Sequence, residues 1–215
     1  MYDTLLQLPL FQGMCKDDFT SIIEKVKFHF QNYSKGKKII SQGENCMQIV
    51  FLLSGEIASE STHSNYTLSE YFQGPAIIEP QSLLGISPCY TATYIANDDA
   101  RILTIDKSSV TNELMNYEIF RLNYMNLLCS QVQTLRQKAW NQQIGNLNEK
   151  LIHFFLMRCQ KKQGTKMLNI TMNDLAILLN ENRINVSRCL NKWQEQGLIQ
   201  LRRKEIFIPQ LENLT

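Results

Sequence analysis

Arg183 and Arg188 flank Ile184, Asn185 and Ser187 in the run Asn182-Arg183-Ile184-Asn185-Val186-Ser187-Arg188. On a helix, positions 183, 184, 187 and 188 share one face. Arginine pairs bidentately with guanine, asparagine pairs with adenine, and an aliphatic side chain meets the thymine methyl. Ser187 suits a phosphate oxygen. The chemistry that this set offers is recognition of double-stranded DNA in the major groove, with Asn182, Arg183, Ile184, Asn185, Ser187 and Arg188 as candidate contacts. A second basic cluster, Arg202-Arg203-Lys204, lies between two apolar runs and suits the phosphate backbone.

Other chemistries lack their parts. There is no P-loop, no Gly-x-Ser-x-Gly and no His-Glu-x-x-His, so no enzyme is expected. The pairs Asp17-Asp18 and Asp98-Asp99 are neighbours in sequence, and neighbouring side chains point apart. The six cysteines, Cys15, Cys46, Cys89, Cys129, Cys159 and Cys189, include no Cys-x-x-Cys spacing, which argues against an iron–sulfur cluster. A haem- or thiol-sensing protein would have to use one of the isolated His29, His63, His153 or Cys46. No metal or cofactor is expected. A net charge of +2 divides into −4 over 1–110, +1 over 111–142 and +5 over 143–215. The basic C-terminal part fits a polyanion partner served by one domain. No apolar run approaches the roughly 18 residues of a membrane helix, and no secretory signal opens the chain. The expected location is the cytoplasm, without membrane contact.

The reading residues need elements to hold them. Thr171-Met172-Asn173-Asp174 is an N-cap pattern, with Thr171 near enough to DNA to be counted among the contacts. A first helix then runs through Leu175, Ala176, Leu178 and Leu179. Ala176 allows close helix crossing, and Asn180 tolerates the left-handed turn of Asn180-Glu181-Asn182. Val186, Leu190 and Trp193 face inward on the second helix. Leu198 to Leu201 and Glu205 to Ile208 form a hairpin whose tip is Arg202-Arg203-Lys204. The order of cap, small residue, turn, basic helix and basic hairpin describes a winged helix-turn-helix. A sensor that acts by protein contact alone is the alternative use of the same elements.

Upstream, helices are expected between Leu5 and Ile23. From about 26 to 108, short apolar runs (Val26 to Phe30, Ile39-Ile40, Ile49 to Leu53, Ile57, Tyr66 to Leu68, Thr91 to Ile95 and Arg101 to Ile105) alternate with Gly, Asn and Asp turns, which implies a roll or barrel of strands. Residues 111–140 lack Gly and Pro. Met125, Leu128, Val132, Leu135 and Ala139 recur there at spacings of three and four, the seam of a helix meeting a partner helix. Phe120, Tyr124 and Leu127 form a second apolar face. A helix apolar on two sides needs two neighbours, so a homodimer is expected. The fold class is therefore α+β: a jelly-roll-like double-stranded β-helix over 1–110, a dimerisation helix over 111–142 and a winged helix-turn-helix domain over 143–215. Residues Gln143 to Leu147 are the expected hinge.

This order of parts, with Ser34-Lys35-Gly36, Gln42-Gly43-Glu44, Leu53-Ser54-Gly55, Gln73-Gly74 and Arg183 to Arg188, resembles the CRP/FNR family of bacterial regulators over nearly the whole chain. Arg183 and Arg188 match the two arginines of the family's Ser-Arg-Glu-Thr-Val-x-Arg helix, and Asn182 stands where its serine caps the helix. The resemblance implies a cyclic-nucleotide-binding-like sensor, a pseudo-palindromic DNA site, RNA polymerase as a partner and a small-molecule effector received near residues 74–94. Its implied pocket is Glu79, Tyr90, Thr91 and Tyr124. Two departures stand out. Ile184 replaces the family's base-reading glutamate, so a different half-site is expected. Ile78 and Tyr90 replace the glycine and arginine of the family's phosphate cassette. Tyrosine brings no charge to a cyclic phosphate, so poor binding of cyclic AMP and cyclic GMP is expected.

Overall fold

The computed structural model describes residues 5–140 and 145–214, and side chains over 5–136 and 145–214. Helix α1 is Lys16–Lys25, followed by strands β1 (His29–Tyr33), β2 (Lys38–Ile40), β3 (Gln48–Ser54), β4 (Glu56–His63), β5 (Tyr66–Gln73) and β6 (Ala76–Ile78). Helix α2 (Pro80–Leu84), β7 (Thr93–Ala96), β8 (Ala100–Asp106), α3 (Lys107–Asn112), a 3-10 turn at Leu114–Asn116 and α4 (Glu118–Trp140) come next. The chain continues with α5 (Leu147–Arg158), β9 (Lys166–Ile170), α6 (Met172–Leu179), α7 (Arg183–Glu195), β10 (Gln200–Arg202), β11 (Glu205–Ile208) and a 3-10 turn at Leu211–Leu214. This is the expected α+β class, with a β-rich part, helices and a helix-turn-helix part in that order.

The chain folds as two compact units, Met1–Ala58 with Phe72–Gln133, and Ser59–Tyr71 with Thr134–Thr215. These units do not coincide with the linear segments 1–110, 111–142 and 143–215. Strands β4 and β5 each pass from one unit into the other.

In the first unit, β1, β8, β3 and β6 form an antiparallel sheet in that order. Strand β2 pairs with β7. Strand β8 is buried on both faces, so Leu103 and Ile105 meet one apolar layer while Ile102 and Thr104 face the other way. Phe11 packs its ring 5.8 Å from Phe19, 6.0 Å from Phe51 and 5.3 Å from Phe120. Gly55 turns the chain between β3 and β4 with φ +90°, and a Cβ there would lie 2.2 Å from the Asp99 carbonyl oxygen. Only glycine fits that approach.

Three boundaries differ from expectation. The run Val26 to Phe30 is not one strand: Val26 closes α1, its N–H bonding the Ile22 carbonyl, and β1 starts at His29. Thr91 precedes β7 rather than joining it. The long helix begins at Glu118 rather than near 111, because α3 and a 3-10 turn interrupt the helical run.

In the second unit, Asn146 and Glu149 form a reciprocal capping box that starts α5. From the hairpin inward the sheet order is β10, β11, β9, β5, and β4 follows β5. Tyr66 to Glu70 of β5 pair antiparallel with Ile170 to Lys166 of β9. Leu68, 3% exposed, enters the core formed by Leu151, Phe155, Leu168, Leu190 and Ile206. Burying such a side chain stabilises by about 1.5–3 kcal/mol.

Candidate nucleic-acid interface

The Thr171 hydroxyl accepts the Asp174 N–H at 3.1 Å and donates to the Asp174 carboxylate, which starts α6. Thr171 therefore serves the cap first. Leu175 and Ala176 are buried, while Asn180 takes φ +50° and returns its N–H to the Ile177 carbonyl at 3.1 Å. The Asn182 carboxamide oxygen then accepts the Ile184 N–H at 2.8 Å and starts α7. One helix is stopped and the next begun within three residues, which sets two helices at an angle across a tight turn.

Val186, Leu190 and Trp193 anchor α7 in the core. The Trp193 indole N–H donates to Asn148 Oδ1 at 2.6 Å, tying α7 to α5. Arg183, Ile184, Asn185 and Arg188 are exposed and Ser187 is half-buried. Neither arginine makes an ion pair among the described residues. Their charge is available to a polyanion.

The hairpin turn is tighter than expected: β10 runs to Arg202, leaving Arg203-Lys204 as the turn, with Lys204 at φ +61°. Arg202 pairs with Glu205 at 3.3 Å, so its charge is partly offset. Arg203 and Lys204 are exposed and unpaired among the described residues. Ile177, 72% exposed, and Ile184, 58% exposed, are apolar surface near this reading helix.

The expected effector residues cluster only in part. Glu79 is 4% exposed, and its carboxylate accepts from Ser82 Oγ (2.9 Å), Tyr94 Oη (2.9 Å), Thr91 Oγ1 (2.8 Å) and the Thr91 N–H (2.8 Å). Four donors saturate a carboxylate. Tyr124 donates to the Pro80 carbonyl at 2.6 Å and is buried. Tyr90 turns away, donating to the Gln48 carbonyl at 3.1 Å. Ser82 and Tyr94 were not singled out from sequence, because nothing local couples them to Glu79. Burial raises the Cys46 thiol above its ordinary pKa, which works against a thiolate there.

On α4, Phe120 and Tyr124 are buried in the first unit's core. Leu122, Met125, Val132 and Leu135 are 41%, 45%, 62% and 54% exposed, an apolar stripe on the helix surface, while Leu128 is partly buried against that core. Ala139 and the first two residues of the expected hinge, Gln143 and Ile144, lie outside the described side chains, while Gly145, Asn146 and Leu147 lead into α5. Among the described residues no helix is long and apolar enough to cross a membrane, and no group of three His, Cys, Asp or Glu side chains could hold a metal ion.

Residues 30–117 match the family model of cyclic nucleotide-binding domains, and residues 149–215 match that of Crp-like helix-turn-helix domains. A roll of the first kind followed by a reading unit of the second defines a class, the DNA-binding transcription regulators. Within it, the chain belongs to the CRP/FNR family. Solved structures share the fold. The catabolite activator protein of Thermus thermophilus is 18% identical over 96% of both chains, with a TM-score of 0.56. The c-di-GMP-responsive global regulator CLP of Xanthomonas campestris is 13% identical over 91% of this chain and 99% of its own, with a TM-score of 0.52. DNR of Pseudomonas aeruginosa is 16% identical over 99% of this chain and 95% of its own, with a TM-score of 0.50. No curated protein matches the sequence significantly.

Proposed function

We propose that this chain works as a homodimer that reads a two-fold-symmetric DNA site in the cytoplasm, under an effector other than cyclic AMP, and hands its signal to RNA polymerase. The observation that carries the reading is α7 itself. Its buried side fixes Val186, Leu190 and Trp193, while Arg183, Ile184, Asn185 and Arg188 stay exposed with both cations unpaired among the described residues. In two copies, such helices enter successive major grooves about 34 Å apart. Asn182 and Ser187 add backbone contacts, as do Thr171, Arg202, Arg203 and Lys204. Ile184 offers a thymine methyl contact where a carboxylate would have accepted from cytosine.

The exposed stripe Met125, Val132 and Leu135, with half-buried Leu128 beside it, supports pairing through α4, and Ala139 continues its spacing. Saturation of Glu79 and the inward turn of Tyr90 support an effector that is not a cyclic nucleotide. The test is selection of bound sequences from a random DNA library by the full-length protein. A symmetric consensus, absent for the Arg183→Ala/Arg188→Ala variant, is expected. Equal enrichment by that variant would overturn the reading, and a consensus identical to the family's usual half-site would overturn the role of Ile184.

A further inference from the structure

We propose that the open end of the first unit's roll is a binding site for a small uncharged amphipathic molecule, separate from the cassette around Glu79. A cavity of about 620 Å³ lies there among β1, β2, β3, β8 and α3. That volume is in the range of small-molecule sites, roughly 300–1,000 Å³. Glu79 and Thr91 do not line it, and Tyr90 forms part of its wall.

Its floor is apolar, made by Ile40, Val50 and Ile102, all buried. In this floor sits Thr104, 7% exposed, on the roll-facing side of β8. Its hydroxyl makes no hydrogen bond among the described residues. Its oxygen opens onto the cavity, so a ligand's polar group can pair with it in place of solvent. The hydroxyl both donates and accepts, so the matching group is a single hydroxyl, amide, amine or carbonyl at the end of an apolar body.

Charge at the rim selects against anions. Glu44 and Asp106 line the cavity, with Lys107 as the cation beside them. Asp106 is already engaged by Gln48 Nε2 at 2.8 Å and lies 3.5 Å from His29 Nε2. Glu44 accepts the Ser41 N–H at 3.1 Å. Two carboxylates against one ammonium give a phosphate nothing to gain, and the apolar floor gives a compact cation nothing either.

The probe is N-phenyl-1-naphthylamine, an uncharged amphiphile with one N–H, whose fluorescence rises on transfer to apolar surroundings. Titrated into the full-length protein, it is expected to bind saturably and to resist displacement by excess cyclic AMP. Thr104→Val keeps the shape and removes the hydroxyl, and it should weaken binding about fivefold. Thr111→Trp, at an exposed mouth position, should weaken it by more. Lys107→Ala should change it less than twofold, and a loss of tenfold or more there would sink the uncharged class. Absence of saturable binding by the folded protein, or binding indifferent to both Thr104→Val and Thr111→Trp, would overturn the site. DNA binding by the same samples is read separately, so the failure of either reading is seen apart from the other.

Discussion

Glu70 and Lys166 form an ion pair at 3.2 Å with side chains only 3% and 1% exposed. The same carboxylate accepts the N–H groups of Gln160 at 2.8 Å and Lys161 at 3.2 Å, and the Lys166 ammonium donates to the Gln163 carbonyl at 2.8 Å. The pair faces itself across strands β5 and β9, in the register Glu70 to Lys166. Charges buried this deeply persist only when fully paired.

Removing one partner leaves the other charged and dry. Glu70→Leu or Lys166→Met alone should lower unfolding stability by about 3–5 kcal/mol. The double variant Glu70→Leu/Lys166→Met should recover part of this. Recovery stays incomplete because the N–H groups of residues 160 and 161 lose their acceptor. Urea unfolding of the four proteins checks the cycle, and additive losses would contradict a coupled pair.

The reading helix separates specificity from general affinity. Arg183→Ala and Arg188→Ala should each cost about 1–3 kcal/mol on the selected site. Ile184→Glu should shift base preference at one position toward cytosine on the contacted strand. Arg203→Ala and Lys204→Ala should weaken all sequences alike and flatten the salt dependence. Fluorescence anisotropy at several salt concentrations distinguishes these outcomes.

Val132→Glu and Leu135→Glu place charge on positions already exposed within one chain, 62% and 54%. The folded chain should tolerate both. Sedimentation should show monomers at concentrations where the parent pairs, and DNA affinity should fall with it. An unchanged sedimentation coefficient would remove α4 from the interface.

Alkaline stability should report on Tyr124. Burial, with a smaller contribution from nearby Cys46, pushes its phenol up to about 12 from an ordinary value of 10.0. The raised folded value means that this stability is complete below pH 10 and is lost as pH climbs toward 12. Tyr124→Phe forfeits the hydrogen bond to Pro80, about 0.5–1.5 kcal/mol at neutral pH, and should show a shallower decline above pH 10. Unfolding midpoints across pH 8 to 11 test this. Tyr90 is pushed further in the same direction by burial and by its contact with Cys46, so over pH 8 to 11 tyrosinate absorbance from both should appear chiefly with unfolding.

The reading unit was legible in the sequence because its signals are local. Thr171 with Asp174, left-handed Asn180, capping Asn182 and the inward spacing of Val186, Leu190 and Trp193 each act within a few residues. Strand β1 begins later than the apolar run at Val26 suggests, for a physical reason. Its central residues face solvent, so apolar alternation is absent, and Val26 and Phe28 belong to the packing beneath α1. The late start of α4 went unseen because no Gly or Pro marks the 3-10 turn at Leu114–Asn116. Glu70 and Lys166 are far apart in sequence, and neither looks like a core residue by type. Their burial comes from a strand pairing that no local pattern encodes. The saturation of Glu79 by Ser82, Thr91 and Tyr94 is hidden for the same reason.

That pairing of β5 with β9 bears on how such a chain can be recombined. Thirteen residues, Ser59–Tyr71, are written between two halves of the first unit yet belong to the sheet that carries the wing. A chimaera cut after the long helix would inherit a reading unit whose β9 must pair with a stranger's strand in place of β5. A change at Leu68 or Glu70 is therefore a change to the DNA-reading unit, wherever it falls on the map.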